Sequence, residues 1–449
     1  MSRKFDRRRF IKTTAAASAA AMFPYIHTSR AAGKLSVGFW DHWVPGANKT
    51  MEAICHEWAK KNKVDITIDF ITSQGNKLEL TFAAEAQAQS GHDILQPIAW
   101  TPSAYADKLE PLDDLMHTAI RHNGKESDVV KYLTYKDGHW LAVPAVTGSQ
   151  VKPPCARYDR FLEYAGLDVR KMYPGPGGKP DHALQEKWTW DTFLDVAEKC
   201  HAHGHPFGLG LGQTTDSIDW VGALFHAFGA ELVNSKGEIT VNSDHTKRVL
   251  EWSQRLVKVL PPDVFAWDDA SNNKSLISGQ ASLIMNPPSA WAVAKRDNPS
   301  VAEKCWTFQA PKGPMGHRYA PGLPFFWTIW KWSPNKSAAK SLLAHLSTRR
   351  SAERLVAASG GYDIPGFEHL HNFKTWATEG PPVGTVYNYP PKPGVIVSIA
   401  GAPAPVHVAN QIYTQALMTK MIAKCTSEGQ SIPDTIGWAS KQLEAYTMM

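Results

Sequence analysis

The chain has 449 residues, 43% of them hydrophobic and 20% charged, with a formal net charge of +6. Seven of its 48 basic residues but only one of its 42 acidic residues fall in the first 31, leaving 41 of each beyond that point. That neutrality removes any electrostatic case for a nucleic-acid or anionic-membrane partner, and a length well above about 250–300 residues predicts more than one domain.

Residues 1–31 read as a cleaved secretory leader: a basic start, a short Ala-rich run with Met22 and Phe23, and small residues around Ala31 and Ala32. The run is too short to span a bilayer. Asp6-Arg7-Arg8-Arg9-Phe10-Ile11-Lys12 resembles a twin-arginine export signal, with Asp6 where Ser or Thr is usual. The expected destination is the periplasm, reached by a folded protein. No later segment is apolar and long enough to cross a membrane, and no cysteine follows the leader to carry a lipid. Cys55, Cys155, Cys200, Cys305 and Cys425 show no metal-ligand spacing. Their odd number leaves at least one unpaired, and several are expected to be buried thiols.

Leu35–Phe39 reads as a strand running into the aromatic loop Phe39-Trp40-Asp41-His42-Trp43. A helix is expected from near Asn48, then an edge strand at 64–70, VDITIDF, from its strict alternation. A second helix over 77–89 and a third strand from His92 to near Trp100 complete a β-α-β-α-β order, which argues for a parallel sheet with ligands beyond the strand ends. Beyond Trp140–Pro144 a helix is expected at TWDTFLDVAEKCHAHG, capped by Thr189 or Asp191. A strand follows at Phe207–Leu211, then a helix opening at Asp219-Trp220, strands at ASLIMN and FFWTIW, and a helix at KSAAKSLLAHLS. The last hundred residues read as helix and loop, with a Pro-rich stretch at 381–405. The Gly run at 208–212 fails phosphate-loop spacing, and His201, His203 and His205 lack a nearby acid or Cys at ligand spacing, so no metal and no cofactor is expected.

Several motifs in order, each weak alone, carry a resemblance: KLSVGFWDHW, Gly91-His92-Asp93-Ile94, Asp137-Gly138 through Val143-Pro144, Leu276 through Ser282, and Ser333-Pro334-Asn335-Lys336 through Ala339. Together the chain resembles an extracellular solute-binding protein of an ABC importer, in the carbohydrate-binding family that includes maltose-binding proteins. It departs from the family pattern at Pro287-Pro288-Ser289-Ala290-Trp291 and at Gly360-Gly361-Tyr362-Asp363-Ile364-Pro365.

The resemblance implies an α/β two-lobed periplasmic-binding-protein fold of type II, with discontinuous lobes joined by hinge crossings. Residues 32–146 plus 321–348 would form the N-terminal lobe and 147–320 plus 349–449 the C-terminal lobe. The crossings are expected near Pro144–Thr147, Ala320–Gly322 and Ser347–Arg350. It also implies a small-molecule ligand, a partner permease of the inner membrane, and a monomer.

A sugar offers C–H faces that suit indole rings and a rim of hydroxyls that suit Asp, His, Asn, Thr and Gln. Seventeen tryptophans, many in loops after strands, fit that demand. The candidate stacking residues are Trp40, Trp43, Trp220 and Trp291, with Asp41, His42, Thr147, Gln213 and Asp216 at the rim. Trp100, Ser289, Trp327 and Tyr362 complete the candidate ligand contacts. Each single Trp is about as well explained by core packing, and Asp93 fits a structural turn. The expected function is a sugar- or sugar-alcohol-binding subunit, not an enzyme. The alternatives are a binder of a quaternary ammonium or other polar solute and, less favoured for want of a poised carboxylate pair, an exported glycoside hydrolase.

Overall fold

A computed structural model describes residues 33–175, 178–286, 289–378 and 395–448. The leader, Pro287-Pro288 and part of the Pro-rich stretch lie outside the described residues. Strand β1 (Lys34–Trp40) is buried along all but its first residue, as a strand covered on both faces must be. Helix α1 (Pro45–Asn62) starts on Pro45, whose missing N–H costs nothing there, and ends on Lys63 in the left-handed region. It returns the chain to β2 (Asp65–Ile71), which pairs parallel to β1 and is the edge of its sheet. Helix α2 (Lys77–Ala88) then leads to β3 (Ile94–Leu95), parallel to β1 on its other side. The expected β-α-β-α-β layer is present. Gly38 in β1 is required by packing: a Cβ there would meet Leu95 Cδ2 at 2.5 Å.

After β4 (Val143–Pro144) the chain leaves this sheet through residues 145–149 and enters β5 (Gln150–Val151) and β6 (Pro154–Arg157). Helix α3 (Trp190–Ala202) is capped by Thr189, whose hydroxyl accepts from Thr192 N–H. Helix α4 (Thr215–Phe228) is capped by Thr214 and closed by Gly229 at φ 77°. It begins four residues before the expected Asp219-Trp220 start, which places Trp220 inward on the second turn. Phe207–Leu211 is not a strand: Gly208 N–H donates to Leu283 O and Leu211 N–H to Val264 O, with no continuous ladder. Strand β7 (Leu283–Met285), helix α5 (Ser289–Asp297) and β8 (Cys305–Thr307) follow, then β9 (Arg318–Leu323) and β10 (Phe326–Ile329), with residues 324–325 as the second link.

The sheet orders show two lobes. The larger sheet runs β2-β1-β3-β10-β4, a second β8-β6-β7, and β5 and β9 join β11 (Val395–Ser398) in a third. Strand β11 falls where the sequence predicted only helix and loop. Helices α6 (Lys336–Leu346) and α7 (Arg349–Ala358) both pack on α1, and Arg354 clasps Glu57 at 2.7 and 2.8 Å. Residues 349–358, expected in the second lobe, thus pack on a helix of the first. The link 145–149 turns at Gly148, with φ +90° and a would-be Cβ 2.7 Å from the Phe325 ring.

All five cysteines are buried and free. Burial pushes the Cys200 and Cys425 thiols up to about 11, and Cys55 higher still. Among the described residues no helix is long and apolar enough to cross a membrane.

Two buried polar knots brace the first lobe. Asp93 accepts from Ser36 N–H at 2.8 Å and from Ser333 Oγ at 2.6 Å, a structural turn residue as expected. His92 sits between Glu85 of α2 and Asp69 of β2, the latter 3.0 Å away. Burial opposes its charge, but the hydrogen bonds to Asp69 and Glu85 outweigh it and raise the pKa to about 9. A group whose pKa is raised on folding contributes fully below its unfolded value, near 6.5, and loses that contribution as pH rises through the folded value. Thermal unfolding between pH 6 and 10 should show stability falling by on the order of 2–3 kcal/mol through the His92 titration. A His92→Gln variant should be less stable at pH 6 and flatter over that range.

Candidate ligand-binding cleft

The first wall is built at the end of β1. Trp40 is the last residue of that strand, and parallel strands deliver their carboxyl-end residues to a common edge. Its backbone N–H donates to Gln96 Oε1 at 3.1 Å and its indole N–H to Ser73 Oγ at 3.2 Å, which fixes the ring. The ring lies 5.0 Å from Phe325 and, near-parallel, 6.3 Å from Tyr362. His42, two residues on, turns inward and is buried beside both Trp40 and Tyr362. Val44 N–H donates to its Nδ1 at 2.8 Å, so the proton sits on Nε2 and is donated to Asp363, 3.1 Å away. Asp363 Oδ1 also accepts from Gly148 N–H at 2.7 Å. Tyr362 donates to Gln150 Oε1 in β5. The aromatic loop, the first link and residues 362–363 are thus one connected unit.

The opposite wall is polar and rests on a buried charge. Lys152, just past β5, is fully buried, with its ammonium 2.6 Å from Asp216 and 2.7 Å from Asp219 of α4. Burial works against its charge, yet the two carboxylates hold its pKa above the ordinary lysine value. Burial raises both acids as well, Asp219 to about 6, against the pull of Lys152. Asn272 donates to the other Asp216 oxygen at 3.0 Å. Asp269 receives Thr215 Oγ1 at 2.8 Å and Asp216 N–H at 3.0 Å, closing off the start of α4. Asn286 donates to Asn273 at 2.6 Å.

These walls meet across a cavity of about 40 Å³, little more than the roughly 30 Å³ share of one water molecule. The first lobe contributes Trp40, Trp43, Ser73, Asn76, Glu79 and Ile98. Thr215, Asp216, Asp269, Asn273, Asn286 and Ser289 face them from the second lobe. Gln150, Leu323 and Phe325 at the links, with Tyr362, complete the lining. Half-buried Glu79, at the first turn of α2, has its pKa pushed up to about 7 by burial, with the like charge of Asp269 adding to the shift.

Of the residues chosen from sequence, the structure brings together Trp40, Trp43, Asp216, Ser289 and Tyr362. His42 and Thr147 support the wall from behind; the Thr147 carbonyl accepts from the same Gln96 that holds Trp40. Asp41 points to solvent and accepts from Asn48, and exposed Gln213 lies outside the lining. Trp100, Trp220 and Trp327 are core residues; the Trp220 indole donates to Gly210 O at 2.7 Å. Trp291 packs against a small core cluster of the second lobe, with Lys295 5.2 Å above its ring. His203 and His205 stack on Tyr164, and among the described residues no group of three or more His, Cys, Asp or Glu is arranged to hold a metal. Glu79, Gln150, Asp269, Asn273, Asn286 and Phe325 were missed. The cluster of Asn and Ser at 271–275 and the MNPPS turn were the available signals for two of them.

Two α/β lobes meeting over a cleft of rings and hydrogen-bonding groups define a solute-binding protein of the periplasmic type. The chain belongs to the bacterial extracellular solute-binding protein family, which matches residues 53–380. Among solved structures it is similar to a maltose-bound MalE3 of T. maritima (18% identity, TM-score 0.70, covering 92% of this chain and 99% of that one). An ABC transporter solute-binding protein of Thermotoga lettingae bound with α-D-tagatose aligns at 16% identity and TM-score 0.72, over 93% and 100% of the two chains. A sugar transporter protein of Arthrobacter chlorophenolicus with bound laminaribiose aligns at 13% and 0.71, over 92% and 99%. No curated protein matches the sequence.

Replacing Lys152 by Met leaves Asp216 and Asp219 buried without their cation, a change expected to cost about 3–5 kcal/mol in urea unfolding. The deficit should shrink as pH falls, because the stranded acids take up protons in the folded state. Adding Asp216→Asn and Asp219→Asn to the Lys152→Met variant should restore most of the loss.

Proposed function

We propose that the protein is the periplasmic substrate-binding subunit of an ABC importer, capturing a sugar or sugar alcohol between its lobes and delivering it to an inner-membrane permease. The observation that carries this reading is the pairing of the Trp40–Trp43–Phe325–Tyr362 wall with a facing set of Asn, Ser, Thr and carboxylate groups. Rings cover the apolar faces of a pyranose, and the facing groups accept from and donate to its hydroxyls. The maltose, tagatose and laminaribiose bound by the similar structures support the same ligand class. Membership in an extracellular family supports an exported protein, and residues 1–31 supply a leader of twin-arginine type.

Ligand pockets usually hold about 300–1,000 Å³, so the present spacing of the walls has to widen for a sugar to enter. We place the first lobe at residues 33–144 and 326–358, and the second at 150–323 with the remaining described C-terminal residues. Their relative motion is assigned to the links at 145–149 and 324–325, where a few residues can absorb the dihedral change. Binding stabilises the closed arrangement, and that arrangement is what the permease would distinguish. The protein works as a monomer and needs no cofactor in this scheme.

Thermal unfolding of the mature protein against mono- and disaccharides and polyols tests the reading. A ligand at about 100 times its Kd should add roughly 2.7 kcal/mol of stability. The shift should be lost in Trp43→Ala, whose half-buried ring can be removed at little cost to the core. If no sugar or polyol raises the unfolding temperature, the reading fails.

A further inference from the structure

The cleft has an unbalanced charge. Among the described residues its lining includes three carboxylates, Glu79 from the first lobe and Asp216 and Asp269 from the second, but no Lys, Arg or His. The cation behind it, Lys152, is already shared between Asp216 and Asp219. Among the described residues Glu79 and Asp269 form no direct salt bridge, and Asp269 shares only the more distant attraction of the same Lys152. A neutral sugar would have to be gripped by a site carrying more negative charge than its own groups offset.

Bringing the lobes together sets Glu79 against the carboxylates at the start of α4. Like charges in a narrow, partly dry space repel more strongly than in water. Two things can relieve that repulsion: a proton on Glu79, whose pKa lies near 7 with Asp269 contributing, or a positive group on the ligand. The aromatic wall favours the second remedy, because the faces of Trp and Tyr attract organic cations. A bare metal ion does not fit, since the carboxylates do not converge as a metal-ligating group.

We infer that the ligand is cationic: a hydroxyl-bearing solute of the amino-sugar class, whose ammonium lies between Glu79 and Asp269 while the remainder stacks on the Trp40–Tyr362 wall. This rests on the sugar-binding reading above and narrows it. The cleft itself is the site; the carboxylates decide which of two similar sugars it prefers.

The test compares three matched probes, D-glucosamine, N-acetyl-D-glucosamine and D-glucose, with choline as a cation that is not a sugar. Binding is measured by calorimetry on the mature protein at pH 7, at low and high ionic strength. D-Glucosamine is expected to bind at least about tenfold tighter than either neutral probe, as one close charge pair allows, and to weaken as salt rises. Glu79→Gln and Asp269→Asn should each bring the three affinities together without abolishing binding. Glu79→Gln keeps the size and the hydrogen-bonding oxygen of the side chain, so the comparison survives if Asp269→Asn folds poorly. Equal or tighter binding of D-glucose or N-acetyl-D-glucosamine overturns the inference and leaves the sugar reading standing. Binding of choline with no sugar bound overturns the amino-sugar inference together with the sugar reading. No binding of any probe counts against both.

Discussion

The cleft face of the second lobe is arranged around one buried ammonium. Lys152 has no access to water, and a lysine in that position survives as a cation only with anionic partners in direct contact. Asp216 and Asp219 supply them from the first two turns of α4, a spacing that puts both carboxylates on one helix face. The consequence is geometric. Lys152 follows β5 immediately after the first link, so its contacts fix where α4 begins relative to the hinge. The cleft groups Thr215 and Asp216 then inherit that position, and Asp269 and Asn272 are held in turn by hydrogen bonds to the same turn of helix.

The first lobe solves the equivalent problem with a neutral histidine. The His42 ring is held at both nitrogens, and through Asp363 it reaches the backbone of Gly148 in the link itself. Trp40, Phe325 and Tyr362 pack around that contact. A ring pressed by ligand therefore pushes on the same unit that holds the turn of the chain between lobes. In the proposed scheme the parts that grip and the parts that bend share atoms.

The layer order of the first lobe was readable because period and length agree there: VDITIDF alternates, β1 is mostly apolar, and the intervening helix shows helical spacing, although it starts at Pro45 rather than near Asn48. The aromatic loop after β1 was readable for the same reason, since a parallel sheet leaves little choice about where its carboxyl ends lead. Tryptophan abundance was a poorer guide. Trp100, Trp220 and Trp327 follow strands or open helices in sequence just as Trp40 does, but whether a ring turns to the cleft or to the core depends on a rotation that neighbouring residues do not encode. Trp220 shows this directly, because Thr214 starts its helix earlier than Asp219 and carries the indole inward. Lys152 left no trace in its own surroundings; the acids that neutralise it lie 64 and 67 positions away. Glu79 looked like any solvated helix carboxylate until Asp269 was placed opposite it.

The five thiols carry a different consequence. Each is buried, and burial holds Cys55, Cys200 and Cys425 in the protonated form, which is the unreactive one. None is paired, so no cross-link has to form for this architecture to be reached. Reaching this fold therefore requires no oxidant.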